Sequence, residues 1–133
     1  LIEGCAAQLL RMRKALGAKV AILADVQVKH AAPLAALDPD QAARDTVFRG
    51  HADALVVSGT GTGAPTPRAK IEAVRAAVPE VPVFVGSGTT AETLDPTLAD
   101  GFIVGTALKR DGRVDLERAR AVRTAAYSSG KRV

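Results

Sequence analysis

Apolar residues recur at helical spacing near the start of the chain. Leu9, Leu10, Met12 and Leu16 are interleaved with Arg11, Arg13 and Lys14, and Gly17 follows, which predicts a helix over 3–16 closed by glycine. The period then changes. Residues 20–28, VAILADVQV, are largely apolar and rich in β-branched side chains, the pattern of a strand buried on both faces of a parallel sheet. Asp25 and Gln27 alternate within it and Lys29 keeps their parity, so these three side chains are expected on one face at about 7 Å intervals.

The same alternation of periods continues. Asp38-Pro39 supplies an N-cap and a first-turn proline for a helix running to about Arg49. A second strand is expected at 53–58, DALVVS, then the glycine loop GTGTG, then a helix opened by Thr66-Pro67 with Ile71, Val74 and Val78 on one face. A third strand is expected at 82–86, PVFVG, followed by a short helical stretch broken by Pro96. GFIVG at 101–105 is the fourth, Asp115 caps a helix carrying Leu116, Ala119 and Val122, and 128–133 is an expected frayed tail.

This is a helix followed by four strand-helix units, at 20–50, 53–78, 82–98 and 101–126. Alternation of this kind predicts an α/β fold with parallel strands joined by right-handed crossovers. A doubly wound sheet and a TIM (β/α)8 barrel both satisfy it. A complete barrel takes about 250 residues, so 133 residues with four units correspond to a half-barrel.

Composition narrows the chemistry. The hydrophobic content of 47% is mostly Ala and Val, with three Phe, one Tyr and no Trp, which demands a core of small side chains packed between layers. One cysteine, Cys5, leaves no internal disulfide. No stretch reaches the roughly 18 apolar residues of a membrane helix and no charged-then-apolar leader is present, so a cytoplasmic protein without membrane association is expected. The net charge of +4 comes from scattered cations with few aromatics for base stacking, which argues against a nucleic-acid partner.

In either architecture the loops after the strands gather on one rim, where ligands bind. Gly86, Ser87, Gly88 and Gly105, Thr106, Ala107 are expected to present backbone N–H groups to a phosphate. A short helix near Thr106 and the charge of Lys109 would assist. Ser58, Gly59, Thr60, Gly61, Thr62 and Gly63 are expected to contact the body of the ligand. Lys29 and Asp25 are the candidate chemical pair, for proton transfer or carbonyl activation, about 13 Å apart along an ideal strand. His30 is a further candidate, whereas His51, at a helix end, reads as a surface cap. The glycine loop lacks the Gly-Lys-Ser/Thr of a P-loop and the third glycine of a dinucleotide fingerprint. No cofactor and no metal site is expected.

Taken together, ILADVQVKHAAPL, ADALVVSGTGTGAPT, VPVFVGSGTTAETL and ADGFIVGTALKRDGRVD resemble the BtpA/SgcQ family of (β/α)8 barrel proteins nearly from end to end. The resemblance implies that the chain is the C-terminal half of a barrel, from its fourth helix through its eighth unit, with the N-terminal half as partner. For one branch it implies photosystem I biogenesis, and for another a sugar-metabolism or nucleotide-hydrolysing enzyme of lyase, isomerase or hydrolase type. The Ala/Arg-rich composition offers no support for a photosynthetic role and nothing amphipathic reads as a membrane anchor, so the metabolic branch is expected, with a small phosphorylated ligand. Because four parallel strands alone leave two open edges, a homo-oligomer is expected.

Overall fold

The computed structural model describes residues 3–28, 30–61 and 63–128. Its centre is a sheet of four parallel strands, β1 (Leu23–Val26), β2 (Ala54–Val57), β3 (Val83–Val85) and β4 (Gly101–Phe102), lying side by side in chain order. Helix α1 (Ala6–Ala15) precedes β1, α2 (Pro39–Arg44) links β1 to β2, α3 (Arg68–Ala77) links β2 to β3, and α4 (Leu116–Tyr127) closes the chain. The strand order runs in one direction without the reversal that defines a doubly wound sheet.

Strand alternation decides where the core forms. Val26, Leu55, Val57, Val83 and Val85 share a core with Ile71 and Val74 of α3, Val78 just beyond it, and Ala42 and Ala43 of α2. Leu55, Ile71, Val74 and Val83 are fully buried, each contributing about 1.5–3 kcal/mol relative to exposure. The alanines let α2 approach the sheet closely, which a core with no Trp requires. Asp25, Val56, Phe84 and Gly101 are paired in register across all four strands, with the parity opposite to the core residues. Gly101 allows the Phe84 ring to lie over it, since a Cβ there would come within 2.4 Å of that ring.

Several expectations change. The first strand is four residues long and is an edge strand, with Leu23 and Asp25 exposed, because it pairs only with β2. Gln27 ends it by turning to φ 57°, and its amide donates to the Leu37 carbonyl at 2.6 Å, so the alternation of Asp25 and Gln27 does not extend beyond Val26. The second helix widens at Asp45–Arg49 into π-type turns, where the Gly50 amide donates to the Asp45 carbonyl at 3.0 Å. His51, exposed and at φ 52°, closes it, in keeping with a surface cap.

Between β3 and β4 there is no helix. Asp95 accepts from Thr97 and Thr90 bonds Thr93, local turns that compete with a helix around Pro96. The fourth strand stops at Phe102, and α1 and α4 bury none of their residues, leaving Leu9, Met12, Leu116 and Tyr127 exposed. A two-stranded hairpin, β5 (Lys109–Arg110) with β6 (Arg113–Val114), follows β4. Its Asp111-Gly112 turn, φ 51° and 77°, has the Asp-Gly composition of a type I′ hairpin. Residues 129–133 of the expected tail lie outside the described residues.

Candidate functional site

The loops that follow β3 and β4, together with the first turn of α4, surround a cavity of about 440 Å³ at the C-terminal ends of the strands. The chain builds it by letting backbones touch. Gly88, at φ 69°, faces the backbone of Ala64 and Pro65, where a Cβ would come within 2.5 Å. A Cβ on Gly86 would meet the Ser58 hydroxyl at 2.6 Å, and one on Gly59 the Ala64 carbonyl at 2.6 Å. Gly86 and Gly88 thus let the β3 loop lie against the β2 loop, and Gly59 lets the β2 loop fold on itself. Gly61 and Gly105 differ, because a Cβ on either meets nothing within 4 Å.

The lining contains no carboxylate and one charged side chain, Arg118. Three backbone amides on this rim, those of Gly88, Thr89 and Gly105, donate to no acceptor among the described residues. Thr89 is 92% buried and its hydroxyl is likewise unpartnered. No fully occluded side-chain polar atom among the described residues lacks a partner, so the hydroxyl of Thr89, a residue that lines this cavity, keeps some access. Gly86 is different, for its amide donates to the Val57 carbonyl at 2.8 Å and is engaged in the sheet. Free amides and a guanidinium with no carboxylate beside them are a setting suited to an anion.

The sequence-predicted residues divide. Gly86, Ser87, Gly88, Gly105, Thr106, Ala107 and Gly63 all line this one cavity. Lys109 does not. It is exposed at the start of the hairpin, and its carbonyl accepts a bond from the Arg118 guanidinium. The expected short helix at Thr106 is a single three-residue turn, Thr106–Leu108, too short for an appreciable dipole. Ser58 is buried behind Gly86, Thr60 is exposed, and Thr62 lies outside the described residues.

Asp25 is exposed on β1, two strands from β3, about 10 Å by ordinary strand spacing. It borders a different, more apolar groove along the free edge of β1, about 680 Å³, beside Leu9, Leu23, Val28 and Leu37. His30 is exposed in the following loop, and Lys29 lies outside the described residues. Two residues were missed. Arg118 reads in sequence only as one of many helix arginines, and only the hairpin brings it to the rim. Lys70 reads as a surface position, yet burial lowers its pKa, and its Nζ donates to the Ser58 carbonyl at 3.2 Å.

Among the described residues no group of three or more His, Cys, Asp or Glu is placed to hold a metal ion, and no helix is long and apolar enough to cross a membrane.

An uncharacterized protein of Thermococcus kodakarensis is 50% identical over 127 residues, covering 90% of this chain and 47% of the relative. The photosystem I biogenesis protein BtpA of Synechocystis is 44% identical over 117 residues, covering 86% of this chain and 41% of that protein. An uncharacterized protein of Methanocaldococcus jannaschii is 41% identical over 128 residues, 92% of this chain and 48% of the relative. The chain therefore spans about half the length of the curated relatives it matches. The model of the BtpA family matches residues 1–128, and the chain belongs to that family.

Proposed function

We propose that the chain forms half of a (β/α)8 barrel whose rim binds a small phosphorylated metabolite of the sugar- or nucleotide-phosphate class. The observation that carries this reading is the carboxylate-free cavity on which the amides of Gly88, Thr89 and Gly105, the Thr89 hydroxyl and Arg118 converge. The loops after the last two strands of a barrel are a recurrent phosphate site. The unpaired edges of β1 and β4 then receive the four strand-helix units for which the longer relatives have the length.

In this reading the glycine loop at 58–63 shapes the ligand's reacting part. Asp25, Lys29 and His30 perform proton transfer or carbonyl activation once the ligand spans the rim. The direct test is calorimetric titration of the full chain with sugar phosphates, followed by Lys29→Ala. Loss of turnover with an unchanged melting temperature supports the assignment, and unchanged turnover removes Lys29 from the mechanism.

The similarity to a photosystem I biogenesis protein favours a second reading, in which the same pocket belongs to an assembly factor acting through a protein partner. Capture of one defined partner, with no thermal shift from any sugar phosphate, selects it.

A further inference from the structure

We infer that Arg118 is the specificity-determining cation of the rim cavity, the group that selects a phosphate ester over the corresponding neutral sugar. The inference rests on the phosphate reading of that cavity and adds to it the residue that carries the charge.

Neither feature expected to supply positive charge is in place. Lys109 is outside the lining, and the turn at Thr106–Leu108 is one turn of three residues. The N-terminus of α4 is no substitute. Asp115 Oδ1 already accepts the amides of Glu117 and Arg118 at 3.0 Å each, and its carboxylate opposes an anion there.

Arg118 remains. Arg13, Arg44, Arg49, Arg68, Arg75 and Arg110 each pair with a carboxylate, whereas Arg118 has no carboxylate within 4 Å among the described residues. Asp115, whose carboxyl Arg118 helps to hold down through space, directs its other oxygen to Arg110 at 3.1 Å.

The guanidinium is also held in place. One of its nitrogens donates to the Lys109 carbonyl, and that carbonyl is fixed by the hairpin, where Lys109 pairs with Val114 across the Asp111-Gly112 turn. The Asp115 amide donates to the Leu108 carbonyl at 2.8 Å, tying the hairpin to α4. The remaining N–H groups of the fork are left for a phosphate, and the guanidinium stays charged at every working pH. Arg118 is exposed, so a ligand reaches it without any element moving.

The experiment titrates the full chain, by calorimetry and by amide chemical shifts, with inorganic phosphate and ribose 5-phosphate, and with ribose as the neutral control. Unsubstituted protein is expected to bind both phosphates, with shifts at Thr89 and Gly105, and not ribose. Arg118→Gln should weaken phosphate binding about tenfold or more. Arg118→Lys should fall between, and Arg120→Gln on the same helix should leave binding unchanged. Phosphate binding within about twofold of the unsubstituted protein in both Arg118 variants overturns the inference and leaves the phosphate reading standing. No binding of either phosphate by the unsubstituted protein overturns the reading beneath it. If Arg118→Gln does not fold, Arg118→Met, which keeps the apolar stem and drops the charge, takes its place in the comparison.

Discussion

Asp53 and Ile22 bond each other twice: the Ile22 amide donates to the Asp53 carboxylate at 2.8 Å, and the Asp53 amide donates to the Ile22 carbonyl at 3.0 Å. The pattern repeats two strands on. The Val83 amide donates to the Asp100 carboxylate at 2.9 Å, and the Asp100 amide returns a bond to the Val83 carbonyl at 2.9 Å. An arginine from the helix before each pair of strands reaches the same carboxylate, Arg13 for Asp53 and Arg75 for Asp100. At the intervening boundary Pro82 stands in the corresponding place, and only its carbonyl takes part, accepting from Leu55. The sheet is thus assembled from two similar two-stranded units, clamped at the strand ends opposite the candidate site.

Asp53 makes stability depend on acid. The Ile22 amide and then Arg13 hold its carboxyl below the ordinary 3.8. A carboxylate with a depressed folded pKa contributes fully above its unfolded value, and the contribution is lost as pH falls through the lower folded value. Asp53→Asn is therefore expected to lower the melting temperature at pH 7. The difference from the unsubstituted chain should shrink below about pH 3.8. Thermal melts across that range check it, and a pH-independent difference would contradict the assignment.

Asp100→Ala removes the matching bond at the start of β3 and should cost about 1 kcal/mol in chemical denaturation. Arg75→Ala, whose pair with Asp100 is long at 4.0 Å, should cost less than that. A larger loss for Arg75 than for Asp100 would mean that the arginine's bond to the Thr97 carbonyl, not the carboxylate clamp, holds the turn.

The rim glycines separate packing from binding. Gly88→Ala forces a Cβ to within 2.5 Å of backbone at a positive φ, so a loss of about 1–3 kcal/mol or more is expected. Gly105→Ala meets nothing within 4 Å, and its stability should stay within about 0.5 kcal/mol. If the cavity holds an anion, Gly105→Ala nevertheless weakens phosphate binding. Titration and denaturation of the two variants side by side distinguish a structural glycine from a ligand-facing one.

Burial predicts a second contrast, between helices that look equally amphipathic in sequence. Ile71 of α3 is fully buried against the sheet, so Ile71→Ala should cost about 2–5 kcal/mol. Leu9 of α1 is 42% exposed, and Leu9→Ala should cost well under half of that. Urea denaturation of both measures it. Similar losses would show that α1 is packed in solution more tightly than the open edge of β1 allows.

Local patterning was enough for the α/β class, the parallel strands and the glycine-rich rim, because these follow from period changes and from glycines that end strands. It did not show which elements lack a neighbour. VAILADVQV has the composition of a doubly covered strand, and only the absence of a partner beyond β1 exposes Leu23 and Asp25. Arg118 was hidden for a different reason, since its place depends on a hairpin that redirects the chain between β4 and α4. The Asp111-Gly112 dipeptide was the available signal for that turn.

The two open edges also predict association. β1 and β4 each pair on one side only, and exposed apolar residues flank both, with Leu9, Leu23 and Val28 at one and Ile103 and Tyr127 at the other. An unpaired parallel edge beside apolar surface recruits another chain. Residues 1–133 produced alone should therefore self-associate, with a weight-average mass that rises with concentration in sedimentation equilibrium. Leu23→Lys places a charge on the free strand and should shift the equilibrium toward monomer while the fold, read by circular dichroism, is kept. A chain that stays monomeric at high micromolar concentration without the substitution would show that α1 or α4 covers the edges in solution, and the half-barrel reading would have to be given up.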